Sequence, residues 1–221
     1  MKWLSQQSPK RAFHGSSPCA PANLLLYLCY NSSMQPVLGF AALLLNLIGY
    51  FPYIRDIFRK IVKPHAVTWG IWTILTAIAA VNQVKNGGGY SSLFFISTTV
   101  LVTFVFLLSL RHGIGKISRV DSICLVLAIL LLIYWLTLKE TRISTVFAVI
   151  IDGIGAIPTL IKTYHHPETE TYPQWTLAGI GGLFTMLAVP SLDWVLLIYP
   201  AYVFLMNGAI VTVKYLRERD H

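Results

Sequence analysis

"GYFPYIRDIFRKIVKPHAVTWGIW" occupies residues 49–72, and residues 155–178 read "GAIPTLIKTYHHPETETYPQWTLA". Laid over each other without a gap, at an offset of 106 residues (155 minus 49), the stretches put Gly49 on Gly155, Pro52 on Pro158 and Trp69 on Trp175. Flanking apolar positions agree: Ile48 with Ile154, Ile54 with Leu160, Phe58 with Tyr164. The same helix-breaking residue and the same tryptophan, twice at one spacing, mark an internal repeat.

The residues around the repeat say what it is made of. With 55% hydrophobic and only 12% charged residues in 221, and a mean hydropathy of +0.64, the chain lacks the polar surface of a soluble domain. An apolar run of ~20 residues makes a helix that crosses the ~30 Å hydrocarbon core. Seven such runs are readable, at 37–58, 66–84, 91–110, 120–138, 142–164, 171–189 and 192–214. They lack the alternation of outer-membrane strands, and backbone groups in lipid must be satisfied within the segment, so the runs are read as helices. The predicted class is an all-α, multi-pass membrane protein, with no room left for a soluble catalytic domain.

A formal charge of +8 could suggest nucleic acid, but its placement does not. With alternate loops on opposite sides, one side receives 11 of the 17 Lys and Arg (55, 59, 60, 63, 111, 116, 119, 162, 214, 217 and 219), the other 6. The richer side is predicted to be cytoplasmic, which puts the N-terminus outside and the C-terminus inside, in a plasma or inner membrane. These charges orient the chain in the bilayer, its expected surroundings, and no nucleic-acid partner is expected. Cys19, Cys29 and Cys124 have no metal or redox spacing. Residues 1–36 are read as a flexible tail or an over-extended start, since Met34 directly precedes the first span. A signal-peptide reading of Lys10-Arg11 before "ANLLLYLCY" stays open, and Asn31-Ser32-Ser33 fits the glycosylation pattern.

Each repeat copy covers three spans, so a second copy following directly would enter the membrane upside down. One extra span between them restores the orientation. The expected units are therefore 37–110 (first triple-helix bundle), 111–141 (linker helix), 142–216 (second bundle) and 217–221 (cytoplasmic tail). Parallel repeats about an axis along the membrane normal are a transporter architecture, with solute held between the copies near mid-membrane. On "GYFPYIRDIFRKIVKPH" with "VTWGIW", and "GAIPTLIKTYHH" with "PQWTLAGIGG", the chain resembles the SWEET and PQ-loop superfamily of three-plus-one-plus-three transporters over about residues 37–216. It departs from that pattern in places. Pro52 is followed by Tyr53 and Pro158 by Thr159 where the PQ-loop dipeptide would stand, and Val67 occupies the fourth of the hinge-proline positions that Pro52, Pro158 and Pro173 otherwise fit.

Pro52 and Pro158 lack an N–H and clash with the preceding turn, so each kinks its helix, as a hinge or as a static bend. Asn46 and Asp152 are equivalent, six residues before their prolines. At that depth an Asn often glues helices together, whereas an acid is costly and faces a cavity or a polar partner. Trp69 and Trp175 are expected either in an interfacial belt or as flat faces on either side of a ring-shaped solute. Thr68 and Gln174 precede them and could supply hydrogen bonds. The resemblance adds Asn207, matching a pocket asparagine of the seventh SWEET helix. Trp72, matched only by Ala178, is assigned to lipid or core packing, and Gly179, Gly181 and Gly182 to close helix contact.

Other motifs fail. "GIGKIS" lacks phosphate-loop spacing, His165 and His166 cannot share a metal on a regular helix, and no Ser-His-Asp or Cys-His set is readable. No enzyme activity, metal or cofactor is expected. The expected function is alternating-access facilitation of a small polar solute held by Asn46, Thr68, Trp69, Asp152, Gln174, Trp175 and Asn207. The resemblance implies a sugar-like solute. A riboside or vitamin precursor is the alternative within transport, and a KDEL-receptor-like cargo receptor the alternative outside it, though such a receptor should show basic residues at mid-span. Homo-oligomerisation stays open. Asp152 would either carry a proton with the solute or act as a plain hydrogen-bond donor beside Asn46. The second is favoured, because no further buried acid is readable to relay a proton.

Overall fold

The computed structural model describes residues 33–62, 64, 66–112 and 119–219. The calls on the first 32 residues, on Lys63, on 113–118 and on His221 lie outside them. Among the described residues there are seven α-helices: α1 (Met34–Phe58), α2 (Ala66–Lys85), α3 (Ser92–His112), α4 (Arg119–Leu138), α5 (Arg142–His165), α6 (Tyr172–Leu187) and α7 (Trp194–Arg219). Five of them (α1, α2, α3 with its preceding turn, α5 and α7) are long and apolar enough to cross a membrane, which makes this a multi-pass membrane protein. In α4 the apolar stretch is the shorter Ser122–Leu138, and α6 has 16 residues.

The ends of the helices follow local chemistry. Beyond α1 the backbone turns left-handed at Lys60 (φ 59°), which lets the N–H of Ile61 reach the carbonyl of Asp56 at 2.9 Å and satisfies one of the last free carbonyls. Glu140 accepts from the N–H groups of Arg142 (3.0 Å) and Ile143 (2.6 Å) and so caps α5. Asp193 accepts from Val195 at the start of α7. An acidic oxygen at a helix N-terminus meets both orphan donors and the positive end of the dipole. Pro173 falls in the first turn of α6, where a missing N–H removes no bond. Pro52 is inside α1, as expected, and Pro200 is inside α7. Pro158 is on α5, its side chain outside the described residues.

Packing is of two kinds. Helix α3 packs on α1 and α2, and α7 packs on α5 and α6, giving two groups of three. The groups meet where α1 lies along α6 and where α2 lies along α5, while α4 runs beside α5 and α2. The core holds Leu75, Ile78, Phe94, Phe95 and Tyr199, yet Phe51 (72% exposed), Val100 (64%) and Leu205 (67%) face outwards. Apolar groups so exposed around the perimeter need hydrocarbon, not water, as their surroundings.

The α6 glycines allow the close approach expected of them. A Cβ on Gly182 would lie 3.0 Å from both the Phe204 nitrogen and the Pro200 oxygen of α7, and one on Gly181 would lie 2.6 Å from the Phe94 ring. Backbone atoms cannot yield as a side chain can. Gly182→Leu should therefore lower the unfolding temperature in detergent by several degrees, corresponding to about 1–3 kcal/mol of overpacking. Gly208→Leu, where a Cβ has open space, should leave it unchanged. Equal melting of the two variants would show that the α6–α7 contact is looser than described here.

Candidate functional site

A cavity of about 100 Å³, counted as room for the centres of water molecules, lies between the two groups of helices. One water needs only about 10–15 Å³ by this measure, so the space suits a small organic molecule rather than a lone water. Of the residues expected to hold solute, Asn46, Trp69, Asp152, Gln174, Trp175 and Asn207 all line it, and Thr68 does not. They come from α1, α2, α5, α6 and α7, and α3 adds Thr98.

The polar groups differ in what they leave open. Asn46, 1% exposed, donates both amide hydrogens, to Ser97 Oγ and Thr98 Oγ1 (2.9 Å each), so it does tie α1 to α3. Its carbonyl oxygen has no partner. The Gln174 oxygen, 5% exposed as a residue, is also unpartnered. Asp152 accepts from the Tyr199 hydroxyl at 2.7 Å, and the Tyr202 hydroxyl faces the same carboxylate. Its observed partner is thus a phenol of α7, not Asn46. Asn207 donates to the Val203 carbonyl within its own helix. Buried polar atoms without partners are uncommon and call for an explanation, and here they border a cavity.

The aromatic lining is richer than the sequence suggested. Trp69 and Trp175 do not face each other directly. Trp72 stands edge-to-face to both, at 5.2 Å and 82° to Trp69 and at 6.4 Å and 79° to Trp175. Tyr53 and Tyr50 back Trp69 at 5.3 and 6.2 Å. Trp72 does pack against the core, but it also lines the cavity, and its indole N–H approaches Asp152 without hydrogen-bond geometry. Its position explains the difference: Trp72 lies three residues after Trp69 and therefore on nearly the same face of α2.

The expectation that no second buried acid exists is corrected. Asp56 and Glu170 are each 8% exposed. Asp56 pairs with Arg55 at 2.9 Å, and Glu170 accepts from the Trp175 indole at 2.8 Å. Both lie at or beyond the end of an apolar run, where depth along the sequence implied solvent. Pairing and the folding of the 166–171 segment under α7 bury them instead. That segment is held by Lys214, whose ammonium donates to Pro167 O at 2.7 Å and to Glu218 at 2.5 Å.

At the end of the molecule that carries Lys85 and Arg142 the lining stops. Gln83 donates to Ser91 Oγ (2.8 Å) and to Leu196 O (3.3 Å), and Asn82 donates to Ser144 Oγ (2.9 Å) and Thr145 Oγ1 (3.0 Å) while accepting from Trp135 (2.8 Å). These bonds tie α2 to α5 and α7 across the seam. Sequence reading missed them because Asn82 and Gln83 stand near a span end, where polar residues normally meet water. No family model, curated protein or solved structure matches this chain.

Proposed function

We propose that this protein is a membrane transporter that moves a small polar solute by alternating access between two triple-helix bundles. In this reading all seven helices cross the bilayer, α1–α3 and α5–α7 are the two copies, and α4 links them. The packing scheme supports it: shifting by one copy turns the α1–α6 contact into the α5–α2 contact, α1–α3 into α5–α7, and α2–α3 into α6–α7. The likeness to SWEET and PQ-loop carriers stands as part of the same proposal. The observation that carries it is the cavity between the copies, lined from both and bordered by the unpartnered oxygens of Asn46 and Gln174. A solute would complete those hydrogen bonds, and rocking of the bundles about the kinks at Pro52 and Pro158 would expose it to each side in turn. Among the described residues no Lys, Arg or His lines the cavity, which disfavours a receptor that clasps a peptide carboxylate.

Topology tests the frame. Reporter fusions at Lys85 and Lys139 should read external, and fusions at Lys116 and His221 cytoplasmic, in the plasma or inner membrane. Any even number of crossings between the two ends would remove the parallel repeat and the proposal with it. Counterflow of labelled solute in proteoliposomes then tests transport itself.

A further inference from the structure

The cavity has a charge balance that a neutral sugar would not need. Asp152 is its one acidic lining residue, and no described basic residue lines it. Tyr199 donates to the carboxylate and the Tyr202 hydroxyl faces it, but neither supplies a countercharge. A carboxylate among apolar walls is costly unless a cation accompanies it.

Second, Trp69, Trp72 and Trp175 all line the cavity, and Trp72 stands nearly perpendicular to the other two, so the indoles are arranged as a box rather than a parallel sandwich. A cation seated over an indole face is attracted through the ring quadrupole.

From these two observations, and resting on the transporter reading above, we propose that the solute is a small organic cation, held by Trp69, Trp72 and Trp175 with Asp152 as its countercharge.

The test uses the purified full chain in lipid nanodiscs and matched probe pairs that differ in charge alone: choline against dimethylbutanol, and N-methylpyridinium against pyridine at neutral pH. Glucose and ribose are added as neutral polyols. Calorimetry should give each cation at least about tenfold tighter binding than its neutral partner. Asp152→Asn should remove that preference, and Asp152→Glu should retain it, which keeps the test valid if the asparagine variant folds poorly. Equal affinity within both pairs, tighter binding of glucose or ribose than of either cation, no binding of either cation, or an undiminished preference in folded Asp152→Asn would each overturn the charge assignment. Counterflow separates the two layers of the argument. Glucose flux without cation binding leaves a carrier of another specificity, whereas cation binding without flux through proteoliposomes removes the transporter reading and leaves the site.

Discussion

Trp72→Ala should weaken solute binding by about thirtyfold and lower flux at subsaturating solute in the same proportion. The magnitude follows from a desolvated cation–ring contact of about 2 kcal/mol. Trp72 should matter most of the three, because it is edge-to-face to both other indoles and its loss releases both. Trp69→Ala and Trp175→Ala should follow closely. Trp175 has a second role, since its N–H is the bond that holds buried Glu170. Truncating a large ring in a packed region also costs about 3–5 kcal/mol of stability, so flux must be expressed per folded molecule. Trp194 is the control. It is 47% exposed, lies under the Arg142 guanidinium at the end of α7, and has the setting of an interfacial anchor. Trp194→Ala should change insertion or melting and leave flux per folded molecule within about twofold. Were Trp72→Ala to transport as well as the native chain, the box would be only packing.

The helices were legible because they rest on a signal that survives in one dimension. The apolar runs read from the sequence fell on α1 to α7, with ends within a few residues, since polar and turn-forming residues stop both the run and the helix, and five of these helices are long and apolar enough to cross a bilayer. Pairing the copies put Asn46 beside Asp152 and Trp69 beside Trp175 as candidates, and all four line the cavity. What escaped was whatever depends on how faces close on each other. Tyr50, Tyr53, Tyr199 and Tyr202 were not singled out in the sequence, yet all four line the cavity. Trp72 lacked a match in the second copy and so carried no repeat signal. Pro200, inside α7, falls on Phe94 at the 106-residue offset and so had no matching proline to single it out. Glu170 was missed because burial by a folded-back loop leaves no trace in hydropathy.

Joining Asn82 to Ser144 should stop transport reversibly. In alternating access the solute leaves by the side opposite to its entry, so the seam between α2 and α5 must part at one stage of each cycle. Here that seam is fastened. Both Asn82 amide hydrogens are donated across it, with Ser144 at 2.9 Å, Thr145 at 3.0 Å and the Thr141 carbonyl at 3.3 Å as acceptors, while its oxygen takes the Trp135 N–H. Gln83 adds a bond to Leu196 O. At a net of about 1 kcal/mol each, a handful of such bonds favours closure by a few kcal/mol. That is an amount which solute binding and opposing contacts elsewhere can offset, so on the proposed alternating access the seam would serve as a gate rather than a permanent weld. In a background with Cys19, Cys29 and Cys124 replaced by Ala, Asn82→Cys with Ser144→Cys should cross-link on oxidation. Counterflow should then fall to the level of empty liposomes and return with reductant, while calorimetric binding of solute persists. The α1–α6 seam is built differently, by close contact of Gly49 with Leu177. The fully cross-linked protein is decisive: undiminished counterflow would mean that solute passes without parting these helices, and the two bundles would not rock as proposed.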